Sequence, residues 1–174
     1  MPIPEFIVET RKKIGTDLMW VPSVCAVVLR DSTVDSPWAV PDVLLVRRAD
    51  NGQWTPVTGI VDPGEEPHVA AVREVLEETG VKVTAAAIVG VGSHGPVTHS
   101  NGDQASYMTV QIRCEPLDPS VEPVVGDDEN TEAGWFPISQ MPVTDPKWRL
   151  AIGDAAAQRR HPGSFAPRMG LAKR

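Results

Sequence analysis

The alternation of apolar and polar residues along the chain predicts strands and helices in turn. Short β-branched and aliphatic runs are typical of strands, and longer segments with apolar residues three and four apart are typical of helices. The predicted strands cover 21–29, 43–47, 81–92, 105–114 and 133–136. The predicted helices cover 4–15, 67–79 and 147–160. Strands interleaved with helices favour an α/β fold with a mixed sheet between helices.

The segments between these elements are rich in residues that form turns. Proline, including Pro37, interrupts 31–42, and further prolines interrupt the acidic segment 115–131. Glycine and asparagine occur in 93–104, and Asp-Asn-Gly at 50–52 is a typical turn. We therefore expect all three longer segments to be loops.

The helix at 67–79 carries Glu74, Glu77 and Glu78 at positions i, i+3 and i+4, which share one helix face. At about 100° per residue, the opposite side collects an apolar group. Its members are Val69, Val72, Val75, Leu76 and Thr79. We expect this group to be buried and the glutamates to be exposed. Such acidic faces are common, and like charges at i,i+4 cost only about a few tenths of a kcal/mol, so the glutamates alone do not require a function.

The residues around this helix match a longer pattern of fixed positions. The pattern comprises Gly59, Glu65, Arg73-Glu74, Val75, Glu77-Glu78, Gly80 and Val81. Segment 59–81 resembles the Nudix box at every fixed position, and on these residues the chain is similar to the Nudix hydrolases. The resemblance extends over roughly 20–160 and implies an α/β/α sandwich.

The resemblance implies Mg²⁺-dependent hydrolysis of a nucleoside diphosphate linked to another moiety, with Mn²⁺ as a possible substitute. An acidic face would repel a diphosphate unless divalent cations lay between them, and Mg²⁺ prefers oxygen ligands. By the resemblance, Glu74, Glu77 and Glu78 bind metal and activate water, together with the carbonyl of Gly59. Glu74 and Glu78 are both candidates for the general base.

The remaining box residues are expected to orient side chains or shape the backbone. By the resemblance, Arg73 orients carboxylates by pairing with Glu65 or Glu77. Gly59 and Gly80 provide tight backbone geometry as their main role, and Pro67 suits the first position of the helix.

The sequence before the box departs from the pattern Trp-x-x-Pro-Gly-Gly that many Nudix relatives carry. Val57 and Thr58 stand in place of Pro and Gly. This departure weakens the link to members that cleave triphosphates. We expect Trp54 to pack rather than to stack on a base.

The acidic segment before residue 133 is a candidate source of another carboxylate. Nudix relatives often supply a metal ligand or base from this region, and Glu129 is the first candidate, followed by Glu132 and Asp128. A solvated acidic loop is an equally good interpretation.

Several further side chains can be assigned structural or surface roles. His94 and His99 lack a partner at zinc-ligand spacing, so we do not expect a structural zinc. A contact with phosphate is an alternative for either histidine, and we favour a surface position. Scarce aromatic residues more often anchor a core than stack on a base, and we interpret Tyr107, Trp135 and Phe136 in this way.

Composition and charge limit the remaining classes. The chain is 41% hydrophobic and 22% charged, which is typical of one globular domain. It shows no membrane span and no signal peptide, and Cys25 and Cys114 are expected to be buried free thiols, so we predict a cytoplasmic protein. The net charge of −7 argues against a long nucleic-acid partner.

The domain prediction has three parts. Residues 1–20 form an N-terminal helical extension, 21–160 form the Nudix hydrolase domain, and 161–174 form a basic, flexible tail. After Asp154 the charged residues are all basic, namely Arg159, Arg160, Arg168, Lys173 and Arg174. From the resemblance we also expect a homodimer.

The substrate prediction rests on one residue. In Nudix relatives a proline about 15 or 16 residues after the box accompanies ADP-ribose pyrophosphatase activity, and Pro96 lies 15 residues after Val81. We therefore favour ADP-ribose or another NDP-sugar. One alternative is a nucleoside triphosphate pyrophosphohydrolase. Another is a nucleotide-sensing module without catalysis, which the complete set of box glutamates disfavours.

Overall fold

The structure is a computed structural model that describes residues 3–33 and 39–170. Pro37, Lys173 and Arg174 lie outside the described residues. The helices are α1 (Glu5–Ile14), α2 (Pro67–Thr79) and α3 (Pro146–Arg160). The strands are β1 (Met19–Arg30), β2 (Asp42–Arg48), β3 (Trp54–Thr55), β4 (Val57–Ile60), β5 (Val83–Thr98), β6 (Gln104–Pro116), β7 (Asn130–Pro137) and β8 (Arg168–Met169).

The strands described form a mixed sheet in the order β3-β2-β1-β6-β5-β8, with β4 paired to β1 and β7 paired to β2. β1 is parallel to β6 and antiparallel to β4 and β2. Its residues from Ser23 to Arg30 are all buried, as expected for a strand covered on both faces.

Helices α2 and α3 cover opposite faces of this sheet. One hydrophobic cluster joins α2 to alternate residues of β1, which are Val24, Ala26 and Val28. A second cluster joins α3 to the intervening residues Cys25, Val27 and Leu29. Because successive side chains of a strand point to opposite faces, the helices form the two outer layers. The predicted α/β/α sandwich with a mixed sheet is confirmed, and both cysteines are buried free thiols as expected.

The limits of α2 agree with the prediction, but its buried face agrees only in part. Pro67 begins the helix and Gly80 ends it with a left-handed φ of 68°. Val69 and Leu76 are 48% and 43% exposed, whereas Glu74 and Glu78 are 3% and 4% exposed. The predicted exposure of these glutamates is therefore wrong. Val75 and Thr79 are buried as expected, and Ala70 and Ala71 take the places in the packing surface that were predicted for Val69 and Leu76. Small alanines allow a helix to lie close to a sheet.

The predicted loop at 93–104 is also wrong over its first half. β5 continues to Thr98 and pairs with β6 up to Gln104, leaving only 99–103 at the hairpin tip. A register shift between His94 and Val97 accommodates Gly95 and Pro96, since proline within a sheet is found at bulges and edges. The sequence analysis did not predict β3 and β4, because these strands are too short to show a clear alternation of apolar and polar residues.

Part of the C-terminal segment 161–174, which was predicted to be a flexible tail, forms a short strand at the sheet edge. Arg168 and Met169 pair in parallel with Gly90 and Val91 of β5. Arg168 also donates two hydrogen bonds, of 2.6 and 2.9 Å, to the carboxylate of Asp154 on α3. Within the described ranges, none of the helices is long and apolar enough to cross a membrane.

Candidate functional site

A cleft of about 930 Å³ opens where the antiparallel partner of β1 changes from β4 to β2. β1 pairs with β4 from Ser23 to Ala26, but with β2 only at Leu29 and Arg30. The cleft extends from this fork towards α1 and the first turn of α3. At the fork it is lined by Thr58, Gly59, Ile60, Glu74, Arg48 and Glu129. The first residue of the box, its first helical glutamate and the candidate carboxylate of the acidic segment therefore line one cleft.

Arg73 binds the carboxylates of the box into one network. Its Nε and Nη2 atoms donate to the two oxygens of Glu65 at 2.9 and 2.8 Å. Nη1 donates to Glu74 at 2.9 Å and to Glu77 at 3.2 Å, and Nη2 also donates to the carbonyl of Ile60 at 3.2 Å. Arg73 thus contacts both partners considered from the sequence, and Glu74 as well. The hydrogen bonds from Arg73 hold the pKa of Glu65 below its ordinary value.

Burial makes Glu74 and Glu78 unusual carboxyl groups. Removal from water raises the pKa of Glu74 to about 7, although the charge of Arg73 and its hydrogen bond oppose this rise. Removal from water likewise raises the pKa of Glu78 to about 8, against the hydrogen bond from Asn130. Like charges at Glu74 and Glu129 raise the pKa of Glu78 further. The nearby protein groups therefore supply less positive charge than these two carboxylates require.

The acidic segment places its candidate carboxylates in different positions. Glu129 lines the cleft, and its charge contributes to the raised pKa of both Glu74 and Glu78. Glu132 instead forms a surface ion pair with Arg47, with 2.6 Å between Oε1 and Nη1. Asp128 is exposed and does not line the cleft.

The sequence analysis did not identify Asn130 and Arg48 as site residues. Asn130 is 6% exposed, and its Nδ2 atom donates to Oε2 of Glu78 at 2.8 Å. Arg48 lines the cleft and pairs with Asp50, which is the main reason for its raised pKa; Glu129 and Glu78 raise it further. An amide and an arginine outside a recognised motif carry no distinctive signal, so only the fold reveals their position.

The far part of the cleft contains His94, His99 and Tyr107, for which the sequence analysis favoured surface or packing roles. His94 is half-buried and stacks on Tyr107 with ring centroids 5.0 Å apart. Tyr107 also shares a hydrogen bond of 2.9 Å with Nε2 of His99, and all three residues line the cleft. Trp54 and Phe136 instead pack edge to face at 5.0 Å in the α3 cluster, as a packing role predicts.

The carboxylate oxygens near the fork are ligands of the kind that a hard divalent cation needs. In the described ranges, no three His, Cys, Asp or Glu side chains already surround a common metal position. Glu74 and Glu77 accept hydrogen bonds from Arg73, and Glu78 accepts one from Asn130. The excess negative charge on two buried carboxylates nevertheless fits a cation with oxygen ligands. We therefore regard these residues as compatible with Mg²⁺ or Mn²⁺.

Comparison with known proteins places the chain among a group of related domains. The family model of the NUDIX domain matches residues 19–157. The crystal structure of an ADP-ribose pyrophosphatase from Streptococcus suis has a TM-score of 0.62 and 20% sequence identity, covering 86% of this chain and 98% of that chain. At this identity the likeness shows the fold alone.

Two curated relatives show different extents of similarity. A MutT-like protein from Streptomyces ambofaciens is 43% identical over 49 residues, which are 28% of this chain and 32% of that protein. The NAD-capped RNA hydrolase NudC from Deinococcus radiodurans is 29% identical over 150 residues, 83% of this chain and 48% of that protein. The chain therefore spans only about a third to a half of the length of these relatives.

Proposed function

The chain belongs to the Nudix family, and we propose that it is a divalent-cation-dependent hydrolase of a nucleoside diphosphate linked to another moiety. One observation carries the proposal. Glu74 and Glu78, separated by one helical turn, are buried carboxylates with strongly raised pKa values, and Glu74 lines a cleft. A buried negative charge without full compensation is costly. A bound cation would compensate it and would at the same time attract an anionic substrate.

The residues of the box divide the proposed work between them. Glu74, Glu77 and Glu78, with the carbonyl of Gly59, would hold the cation, and Arg73 would keep Glu74 and Glu77 in place. When bound, Mg²⁺ would polarise the phosphoryl group and stabilise charge on the leaving oxygen. Glu129 lies at the same cleft and would accept a proton from the attacking water or complete the metal shell. Glu74 and Glu78 stay alternative candidates for the base.

For the substrate we propose ADP-ribose or another NDP-sugar. The cleft continues beyond the box carboxylates to His94 and Tyr107, which leaves room for a group on each side of a diphosphate. Pro96 lies in the bulge of β5 between His94 and Val97, and both of these neighbours line the cleft. A proline with fixed φ would stiffen this wall. The NudC relative is by its name a hydrolase of NAD-capped RNA, and NAD is a diphosphate with a nucleoside on each side, which supports the same choice.

The test is a substrate panel with resolved products. ADP-ribose, an NDP-sugar, a dinucleoside polyphosphate and a set of NTPs are incubated with Mg²⁺, and products are separated by chromatography. AMP with ribose 5-phosphate supports the proposal. Pyrophosphate released from an NTP, with ADP-ribose untouched, would assign the chain to the triphosphate-cleaving alternative. Saturable nucleotide binding without any product would instead indicate a sensing module. Glu78→Gln is the matched control for metal-dependent turnover.

The homodimer stays a prediction from the family resemblance. Light scattering at micromolar concentration measures it directly. A mass of twice 18.8 kDa is expected, whereas a mass equal to one chain would end this prediction.

A further inference from the structure

Asn130 connects the sheet to the last turn of α2, which carries Glu78. It is the first residue of β7, and its side chain is 6% exposed. Its Nδ2 atom donates a hydrogen bond of 2.8 Å to Oε2 of Glu78, which is 4% exposed. A buried amide and a buried carboxylate from distant parts of the chain are thus joined by a hydrogen bond.

The backbone before Asn130 is docked on the end of the same helix. The N–H of Gly126 donates to the carbonyl of Glu78 at 2.9 Å, and the N–H of Val124 donates to the carbonyl of Thr79 at 3.0 Å. A Cβ atom on Gly126 would lie 1.9 Å from the carbonyl oxygen of Glu77. The backbone at Gly126 therefore lies in direct contact with the backbone of α2, and this contact fixes the position of 124–126 relative to the helix.

The other end of this connection is equally well anchored. Asn130 opposes Arg48 in the pairing of β7 with β2, and the carbonyl of Glu129 accepts a hydrogen bond of 2.8 Å from the N–H of Ala49. The backbone of Asn130 is therefore fixed by the contacts of 124–126 with α2 and by the pairing of β7 with β2. A short side chain on a fixed backbone has little freedom, so the hydrogen bond can define the orientation of the carboxylate that it contacts.

We propose that Asn130 is a positioning residue that orients the Glu78 carboxylate for cation binding. The inference rests on the proposed function in that it takes Glu78 as a ligand. Partners that hydrogen-bond to metal ligands fix ligand geometry, and their loss typically costs about 10–100-fold in metal affinity or activity. Asn130 itself touches neither substrate nor metal in this assignment.

Mn²⁺ binding to the full chain, measured by calorimetry without nucleotide, tests the inference. Asn130→Ala should raise the Kd for Mn²⁺ by about 10–100-fold. Thr131→Ala is the matched control, because Thr131 is the next residue on β7 and bonds only to the carbonyl of Arg47 at 3.3 Å in the hydrogen bonds described for it. This control should keep the Kd within about twofold. A wild-type Kd in folded Asn130→Ala would overturn the inference.

Two further measurements separate positioning from a general loss of stability. Asn130→Ser keeps a shorter donor and should give a Kd between the wild-type and Ala values; if Asn130→Ala does not fold, a wild-type Kd in folded Asn130→Ser overturns the inference. Where wild-type turnover is detected, the Asn130 variants should recover most of kcat at saturating Mn²⁺ while KM for Mn²⁺ rises. A lowered kcat with unchanged metal affinity would contradict positioning. A wild-type protein that binds Mn²⁺ but cleaves none of the panel disproves the proposed function alone, whereas failure to bind Mn²⁺ disproves both.

Discussion

Gly59 faces the carboxylate of Glu74 so closely that a Cβ atom on residue 59 would lie 2.0 Å from Cδ of Glu74. Glu74 is 3% exposed and accepts a hydrogen bond of 2.9 Å from Arg73. The first glycine of the box is therefore required for space, because any side chain would occupy the volume of the carboxylate. This explains why a glycine on β4 and a glutamate on α2 belong to one motif.

Replacing Gly59 by alanine should displace Glu74 while preserving the fold. The three nearest atoms that must move, Cγ, Cδ and Oε1, belong to the Glu74 side chain and not to the backbone. We therefore expect folded protein with turnover and Mg²⁺ affinity reduced by about tenfold or more. Circular dichroism and metal titration measure the two effects. Gly153→Ala on α3 is the control, since a Cβ there meets no atom within 4 Å. It should raise helix stability by up to about 1 kcal/mol, and unchanged metal affinity in Gly59→Ala would refute the role of the close approach.

The metal-free protein should lose stability as pH rises from about 4.5 to about 8. The folded-state pKa values of Glu74 and Glu78 are raised from the ordinary 4.5 to about 7 and about 8. The folded protein therefore binds more protons than the unfolded chain in this window, and the slope of stability with pH is negative. The contribution of the two groups is fully present below about 4.5 and disappears as pH passes their folded values. The lowered pKa of Glu65 acts below this window.

Thermal unfolding with EDTA at several pH values measures this loss of stability, which should amount to several kcal/mol across the window. Glu78→Gln should make it smaller and should be no less stable than wild type near pH 8.5, because the buried charge is gone. The same variant should lose most turnover. A slope identical in both proteins would mean that Glu78 does not carry the effect. Adding Mg²⁺ should restore stability at high pH, since binding requires the ionised carboxylates.

The box motif identified the family, but the periodicity of α2 did not reveal the burial of its glutamates. The positions of large apolar residues led to the prediction that Val69 and Leu76 are buried, whereas both are exposed. The helix packs through Ala70 and Ala71 instead, and this turns Glu74 and Glu78 inward. Helical spacing defines which residues share a face, whereas the surrounding sheet decides which face is buried.

Hydrogen bonds between residues far apart in the chain could not be predicted from the sequence for a related reason. Asn130 and Glu78 meet only because β7 pairs with β2 beside the end of α2. The continuation of β5 through Pro96 was hidden because glycine and proline usually indicate a loop, and here a bulge absorbs them. Limits of regular helices such as Pro67–Thr79 were predictable because proline and glycine mark both ends.

Glu129→Gln should lower turnover by about tenfold or more, since general-base assistance contributes about 10²–10⁴-fold. Glu129 lines the cleft and adds to the raised pKa of Glu74 and Glu78. Glu132→Gln is the control, because its surface pair with Arg47 is worth at most about 1 kcal/mol. Steady-state kinetics at saturating Mg²⁺ compares the two. Normal turnover in Glu129→Gln with loss in Glu132→Gln would transfer the role to Glu132.

Arg73→Lys should reduce both stability and activity although it preserves the positive charge. The guanidinium donates to both oxygens of Glu65, to Glu74, to Glu77 and to the carbonyl of Ile60. An ammonium group has three donors and no planar fork, so it cannot reproduce this set. We expect a loss of about 1–3 kcal/mol in the free energy of unfolding and at least about tenfold in kcat/KM.

Arg47→Lys is the matched control for this substitution, because Arg47 makes only exposed hydrogen bonds among those described, to Gly52 and Glu132. Its stability should stay within about 0.5 kcal/mol of wild type. Denaturant unfolding and kinetics on the same preparations give both quantities. If Arg73→Lys keeps full activity, a point charge near Glu74 suffices and the geometry of the guanidinium does not orient the carboxylates. If it loses stability alone, Arg73 joins β4 to α2 without shaping the site. Only the combined loss supports the assignment of Arg73 as the residue that holds the box glutamates in place.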